Sequence, residues 1–131
     1  FVVGIYGWFD SMAARTVKAA KKRHPEVTLT LLLAYHPYDR PIPTPEGFDS
    51  TFYPPGMETV PKRAAIVKAN RYMVEHSDYL IAYAWHTASN ARELVSYAKK
   101  RENKGLIQVT ELAREPQRNT GIMIGDGKIE D

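Results

Sequence analysis

Five side chains between residues 63 and 93 have the chemistry to bind or transform a charged ligand. Arg63, Asn70 and Arg71 fall on one predicted helix, and Asn90 and Glu93 start a later one. A guanidinium can hold a phosphate through two hydrogen bonds, and a carboxylate can act as a general acid or base. Arg71 and Glu93 are therefore the candidate catalytic residues. The candidate ligand-binding residues in this stretch are Arg63, Asn70, Arg71 and Asn90.

Arg71 and Glu93 each have a structural alternative. Glu93 lies three residues after Asn90, so with Asn90 as the N-cap it could complete a capping box. Arg71 could form a surface ion pair instead of binding a phosphate. Both alternatives stay open on spacing alone.

A short turn at residues 84–90 separates a predicted strand from the second of these helices. The apolar run at residues 79–83 predicts a buried parallel strand, and Pro61 suits the start of the helix before it. Ligands of α/β proteins bind at the carboxyl ends of such strands, where helix N-termini present free N–H groups. Ser89 and Asn90 are thus candidate ligand-binding residues, and Trp85 could stack on a base or fill the core.

Two glycines near the start of the chain could form a second anion site. Gly4 and Gly7 follow a predicted strand at residues 1–3 and precede a helix from about Ser11 to Arg23, with Asp10 or Ser11 as its N-cap. Backbone N–H groups in a glycine turn at a helix N-terminus can cradle an anion. The glycines could equally serve only to permit a tight turn.

The remaining elements complete an alternating pattern of strands and helices. Further strands are predicted at residues 27–35 and 105–110, and this alternation predicts an α/β fold with helices on both faces of a mainly parallel sheet. The strands at residues 27–34 and 79–83 are expected to be central and covered on both faces. The long segment at residues 36–60 is rich in proline and aromatic residues, and we expect it to pack over the carboxyl edge as a lid.

Composition indicates one ordinary globular domain and excludes several classes of chemistry. The chain has 131 residues, of which 44% are hydrophobic and 25% are charged, and it has no cysteine. Disulfide and thiolate chemistry are thereby excluded. The histidines lack the spacing of metal ligands, so we expect neither a metal nor a cofactor. No apolar run is long enough to span a membrane and no signal peptide is visible, which makes the cytoplasm the default location.

The net charge of +3 is modest, and the basic residues are scattered among acidic ones, with runs at 21–23 and 99–101 that end predicted helices. Cations are favourable there because they complement the helix dipole. A nucleic-acid partner, which needs basic residues gathered on one face, is therefore not the first expectation.

Several motifs in order make the chain similar to a small, largely uncharacterised bacterial branch of the SLOG superfamily of nucleotide-binding proteins. They are FDSMA at 9–13, TFYPPGME at 51–58, PKRAAIVKANRYMV at 61–74, SDYLIAY at 77–83 and SNARELVSYA at 89–98. The resemblance implies a Rossmann-like three-layer α/β/α domain over residues 1–110, followed by a polar tail at 111–131. That branch opens with an earlier strand and helix, which we expect to be missing from this domain.

The resemblance also implies a site and a function. The superfamily includes the lonely-guy phosphoribohydrolases, and the end of their P-G-G-x-G-T-x-x-E loop is similar to residues 89–93, which places its acidic residue at Glu93. Their upstream arginine has an approximate match in Arg71. The glycines of that loop are replaced here by residues that include Trp85 and His86.

The first expectation is therefore a homodimeric domain that binds a nucleotide or nucleotide-derived small molecule at the carboxyl edge of the sheet, with a sensor as one role it could have. The alternatives are a nucleoside 5'-monophosphate phosphoribohydrolase and a nucleic-acid-associated module. In the hydrolase, Glu93 would assist attack at the anomeric carbon while Arg71 holds the phosphate.

Overall fold

The computed structural model describes residues 1–5, 7–84, 90–112, 123–125 and 128–130. The chain divides into two compact units, Phe1–Ala69 and Asn70–Asp131. The described residues form a mixed α/β structure in which parallel strands occur in small sheets, as the alternating pattern predicted. Trp85 and Ser89 lie outside the described residues, as does most of the predicted tail.

Unit one contains a parallel three-stranded sheet. Its strands are β1 (Val2–Val3), β2 (Thr30–Leu32) and β3 (Ser50–Phe52), with β2 between the other two. Leu31 and Leu32 of β2 are buried, so the prediction of a central, covered strand in this region is confirmed. Because all three strands are parallel, the residues that follow them meet at one edge of the sheet.

Strand β3 lies within the segment at residues 36–60 that we expected to form a lid. Its residues pair with β2 in the register Thr30–Ser50, Leu31–Thr51 and Leu32–Phe52. The segment between β2 and β3 is therefore a crossover, and β3 adds an outer strand to the sheet. Two short 3-10 helices, Met57–Thr59 and Lys62–Ala64, follow β3.

Helix α1 (Trp8–Arg23) starts earlier than predicted. Gly7 is its N-cap, with extended backbone angles, and neither Asp10 nor Ser11 occupies that position. Asp10 is instead the third helical residue, and its Oδ2 atom accepts a hydrogen bond from the Gly7 N–H at 3.2 Å. The carboxylate thus caps the helix by reaching back, which is the second half of a capping box.

The core of unit one forms between α1 and the strands. Ala14 and Val17 are buried on α1 together with Leu29, and Val3, Val27 and Phe48 pack against them. Asp49 ties the same region together, because its Oδ2 atom accepts hydrogen bonds from Lys21 Nζ at 2.6 Å and from the Leu29 N–H at 2.8 Å.

Unit two contains a parallel strand pair with a helix between its strands. Helix α2 (Ala65–Glu75) crosses the boundary between the units, and it is followed by β4 (Tyr79–Ala82), α3 (Asn90–Glu102) and β5 (Gln108–Glu111). β4 and β5 pair in the register Tyr79–Gln108 to Ala82–Glu111. Glu111, which we placed in the tail, is therefore the last residue of a strand.

The two faces of the β4–β5 pair differ in burial. One face carries Leu80 and Val109, which pack against the buried cluster of Val74, Ala98 and Ile107. On the other face Tyr79 is 69% exposed and Ile81 is 51% exposed. The expectation that the strand at 79–83 is covered on both faces is therefore wrong, because its apolar residues alternate between a packed face and an open one.

The last described strands, β6 (Met123–Gly125) and β7 (Lys128–Glu130), form an antiparallel pair within the predicted tail. Among the described residues no helix is both long and apolar enough to cross a membrane.

Candidate functional site

The carboxylate of Asp10 occupies the glycine turn before α1. Gly4 and Gly7 both lie against Asp10, and a Cβ atom on Gly4 would stand 3.3 Å from Asp10 Oδ2. The Gly7 N–H, which could have faced a phosphate, donates to this carboxylate. The structure thus brings the two predicted glycines together, but around a negative charge that opposes a second anion.

The carboxyl edge of the unit-one sheet collects aromatic and basic side chains. Tyr35 and His36 follow β2, and Tyr53 follows β3 directly. The His36 ring meets the Tyr53 ring edge to face, with their centroids 5.1 Å apart. The Arg40 guanidinium lies over the Tyr35 ring, 4.1 Å from its centroid, in a cation–π contact. We call Tyr35, His36, Tyr38, Arg40 and Tyr53 the aromatic edge.

A tight turn at residues 36–40 holds part of the aromatic edge in place. The backbone N–H groups of Asp39 and Arg40 both donate to the His36 carbonyl, at 2.9 and 3.0 Å. The Tyr38 N–H donates to Nδ1 of His36 at 3.0 Å. Tyr38 is nonetheless 87% exposed. The turn therefore fixes the backbone below an aromatic face that is open to a ligand.

The electrostatic surroundings of the aromatic edge are mixed. Burial raises the pKa of Tyr53, and the negative charges of Glu58 and Asp39 raise this pKa further. Arg40 contributes a positive charge next to Tyr35. The exposed Tyr38 ring can stack on a planar ring, and the Arg40 guanidinium can bind polar substituents of a ligand.

The aromatic residues of the predicted lid at 36–60 occupy both ends of the sheet. Tyr38 and Tyr53 lie after the strand ends, as expected of a lid, and the neighbouring Pro54 is buried. Phe48, in contrast, precedes β3 and packs on the cluster that contains Leu29, which precedes β2. Only part of this segment can therefore contribute to the carboxyl edge.

Arg63 lies close in sequence to a contact of the aromatic edge. It is exposed on the second 3-10 helix. The Tyr35 hydroxyl donates to the carbonyl of the adjacent Lys62 at 3.4 Å. Arg63 therefore follows directly in sequence the residue whose carbonyl contacts this edge.

In unit two, Arg71 packs against α3. Its guanidinium lies over the Tyr97 ring, 5.0 Å from the centroid. The Tyr97 hydroxyl donates to the Glu75 carboxylate, and this hydrogen bond raises the pKa of Tyr97. Arg71 itself is exposed, and Asn70 beside it is half-buried. Arg71 therefore has a packing role that does not depend on a ligand.

Glu93 lies on the same face of α3 as Tyr97. The two residues are four apart, a spacing that makes them neighbours on a helix surface about 6 Å apart along its axis. Arg71 contacts the ring of Tyr97, the residue one helical turn after Glu93. The structure describes α3 from Asn90 onward, with Glu93 in its first turn, and residues 85–89 before it lie outside the described residues, so the capping box stays a prediction.

A charged cluster in unit two was not predicted. Arg92 on α3 donates to the Ala84 carbonyl after β4 and also to Oε1 of Glu111, at 2.8 Å. Lys99 reaches Oε2 of the same carboxylate at 2.6 Å. The hydrogen bond from Lys99, followed by that from Arg92, lowers the pKa of Glu111. This cluster joins the carboxyl ends of β4 and β5 to α3.

Two further features bear on where a ligand could bind. An open depression in unit two lies at the amino ends of its strands, opposite to the expected edge, and is lined by Asp78, Tyr79, Glu102 and residues 105–108. Within the described ranges, no three histidine, aspartate or glutamate side chains gather in a way that could hold a metal ion.

Comparison with known proteins finds no relative of this chain. No family model, curated protein or solved structure matches the chain. What the protein binds must therefore be inferred from the chemistry of its own residues.

Proposed function

We propose that the protein binds a nucleotide or nucleotide-derived ligand at the carboxyl ends of its parallel strands, with the aromatic edge of unit one contacting the base. The observation that supports this proposal most strongly is the pair of contacts His36–Tyr53 and Arg40–Tyr35 in the segments that follow β2 and β3. Open α/β sheets bind their ligands at this edge.

The aromatic edge suits both parts of a nucleotide. A base can stack on an exposed aromatic ring, and each such contact contributes about 1–3 kcal/mol. The Tyr38 ring is available for this because the residue is 87% exposed. A phosphate can accept charge-assisted hydrogen bonds from a guanidinium, and Arg40 supplies one beside the rings.

Titration calorimetry with adenosine monophosphate and ADP-ribose tests this proposal. The wild-type protein should bind at least one of them, and Arg40→Ala should weaken binding about ten- to a hundredfold because it removes the charge-assisted hydrogen bonds. Arg15→Ala is the matched control, since Arg15 is an exposed arginine in the middle of α1. Absence of binding to both ligands would contradict the proposal.

Hydrolysis of a nucleoside 5'-monophosphate is the second candidate, and one observation favours it. In unit two, Arg71 contacts Tyr97 of α3, and Glu93 lies in the first turn of the same helix. In this alternative Arg71 holds the phosphate at the N-terminus of α3, where free N–H groups favour an anion, and Glu93 assists attack at the anomeric carbon. Arg71→Ala should then weaken substrate binding about ten- to a hundredfold.

The wider assignment follows from the same proposal. We propose that the chain belongs to the SLOG superfamily, whose motifs it resembles, and that it is a bacterial cytoplasmic protein that acts as a homodimer. The parallel pairing of its strands supports this assignment, because a doubly wound domain requires parallel strands. A nucleic-acid-associated role would instead require basic side chains clustered on one face.

A further inference from the structure

We propose that neutral His36 is a positioning residue for the ligand. It holds the stacking residue Tyr38 in place through Nδ1, so binding at the aromatic edge weakens when His36 is protonated. The observation that carries this inference is the hydrogen bond from the Tyr38 N–H to Nδ1 of His36, at 3.0 Å. The inference rests on the proposed function and adds a dependence on pH to it.

The hydrogen bond to Nδ1 fixes the tautomer of His36. In a neutral imidazole one ring nitrogen carries a proton and the other accepts, whereas both nitrogens carry protons in the imidazolium. Because Nδ1 accepts from the Tyr38 N–H, the neutral ring must carry its proton on Nε2. Protonation of Nδ1 would direct one N–H at another, so this hydrogen bond cannot persist in the charged form.

The imidazole serves as a side-chain acceptor within a tight turn. A side chain that accepts from the backbone N–H two residues later has the geometry of an Asx turn, which asparagine and aspartate usually form. Pro37 lies between the two partners, and proline has a fixed φ and no N–H of its own. The Asp39 N–H closes the same turn by donating to the His36 carbonyl at 2.9 Å. Within this turn, Nδ1 is the group that fixes the N–H of Tyr38.

The same imidazole also contacts two aromatic rings. Its centroid lies 5.1 Å from that of Tyr53 and 6.4 Å from that of Tyr38, and both distances are typical of aromatic pairs. A protonated His36 ring must rotate to separate the two facing N–H groups, and rotation disturbs both ring contacts. Protonation therefore acts on Tyr38 through its backbone N–H and through its ring.

Among the described groups around this edge, His36 is the one whose residue type changes charge near neutral pH. Histidine ordinarily titrates between about pH 5 and 8, whereas carboxylates, guanidinium groups and tyrosines keep their charge through most of that range. Burial moves the pKa of Tyr53 still further above it. The other titratable groups around the His36 ring are Tyr38, Tyr53, Asp39, Arg40 and Glu58.

Protonation has two opposite effects on the affinity for an anionic ligand. Loss of the acceptor releases Tyr38 and should weaken binding about two- to tenfold, as for one hydrogen bond. The new positive charge attracts an anion, but at an ionic strength of about 0.5 M exposed charges are screened beyond about 4 Å. In that salt the lost hydrogen bond decides the sign, and affinity falls as the pH falls.

Titration calorimetry with ADP-ribose at pH 8 and pH 5.5, in this salt, tests the inference. ADP-ribose lacks the terminal phosphate of adenosine monophosphate, which would itself titrate near about pH 6. The wild-type protein should bind about two- to tenfold more weakly at the lower pH. His24→Asn, which replaces an exposed histidine at the end of α1, is the matched control and should show the same fall.

Two variants of His36 separate positioning from mere packing. His36→Asn supplies an acceptor that does not titrate, since the asparagine Oδ1 atom can accept from the N–H two residues later. Its affinity should therefore be equal at the two pH values. His36→Ala has no acceptor, so its affinity should also be independent of pH but about two- to tenfold weaker than that of His36→Asn.

Proton–nitrogen NMR of the imidazole ring tests the tautomer without any ligand. At pH 8 the ring of His36 should carry its proton on Nε2, and a proton on Nδ1 would overturn the inference. Wild-type binding that is equal or tighter at pH 5.5, or the same fall in His36→Asn, would overturn it and leave nucleotide binding standing. Absence of ADP-ribose binding at both pH values would also overturn it, and the proposed function falls as well only if adenosine monophosphate fails to bind.

Discussion

The Asp10 carboxylate accepts a hydrogen bond from the Gly7 N–H at 3.2 Å, and it thereby fills the N-terminus of α1 with a negative charge. A strand, a glycine turn and a helix predict an anion site when considered without their side chains. Here the chain supplies the anion itself, which explains why we assign the candidate site to the aromatic edge and not to the glycine turn.

The contribution of this cap can be measured by replacing Asp10. Asp10→Ala should lower the free energy of unfolding by about 0.5–1 kcal/mol, because it leaves the Gly7 N–H without its acceptor and removes a favourable charge near the helix N-terminus. Urea denaturation provides the measurement. Ser11→Ala is the control, since Ser11 is exposed on the same turn of α1 and should cost nothing. Equal stability of the two variants would contradict the capping role.

Acid should weaken unit one through Asp49. Its hydrogen bond from Lys21, followed by that from the Leu29 N–H, lowers its pKa below the ordinary value of 3.8. The folded state thus favours the ionised carboxylate, so its contribution is present above pH 3.8 and is lost as the pH falls through the lower folded pKa.

The comparison with Asp49→Asn isolates this contribution. Between neutral pH and about pH 2.5, the urea midpoint of the wild-type protein should fall further than that of the variant. Asp78→Asn, which changes an exposed aspartate, should behave like the wild type. A parallel fall in wild type and Asp49→Asn would show that Asp49 has no such role.

Arg92 should matter more for stability than Lys99, although both bind Glu111. The Arg92 side chain is 28% exposed and donates to two acceptors, whereas Lys99 is 51% exposed and reaches one. Arg92→Ala should cost about 1.5–3 kcal/mol in the free energy of unfolding, and Lys99→Ala should cost less than about 1 kcal/mol. Lys100→Ala serves as an exposed control on α3. The reverse order, seen by urea denaturation, would refute the assignment of Arg92 as the main link.

Glu93→Gln separates a binding protein from a hydrolase. If the protein hydrolyses nucleoside monophosphates, this variant should abolish release of the free base while leaving affinity largely intact, because it removes the acid–base group but not the phosphate contact. Chromatography of the reaction mixture detects the base. If the protein only binds its ligand, the wild type releases no base and the variant binds as well as the wild type does.

Local sequence signals predicted most of the helices and strands, but not which of their faces are packed against other residues. The apolar runs and helical spacings gave the positions of β1, β2, β4 and β5 and of the helices, since these signals depend on near neighbours. They did not show that Tyr79 and Ile81 face outwards, because an apolar run has no information about what packs on each side. Strand β3 was missed since Ser50, Thr51 and Phe52 form no such run, and their pairing with β2 joins residues about 20 positions apart.

The contacts of the candidate site depend on residues that are distant in sequence. Arg92 and Glu111 are 19 residues apart, and His36 and Tyr53 belong to different strand ends, so spacing could not reveal either pair. Asp10 was recognised as a helix cap, but its position within the helix could not be distinguished from that of an N-cap without backbone angles. Parallel pairing brought these residues together, and that pairing is a property of the fold.

Proton–nitrogen correlation NMR during titration with adenosine monophosphate tests the central claim most directly. If the base binds at the aromatic edge, saturable shifts should appear at the backbone amides of Tyr35, His36, Tyr38 and Tyr53, which follow the carboxyl ends of β2 and β3. Residues before these strands, such as Val27, should change little because they lie at the opposite edge. Saturable shifts confined to that opposite edge, or no saturable shifts at all, would contradict the account.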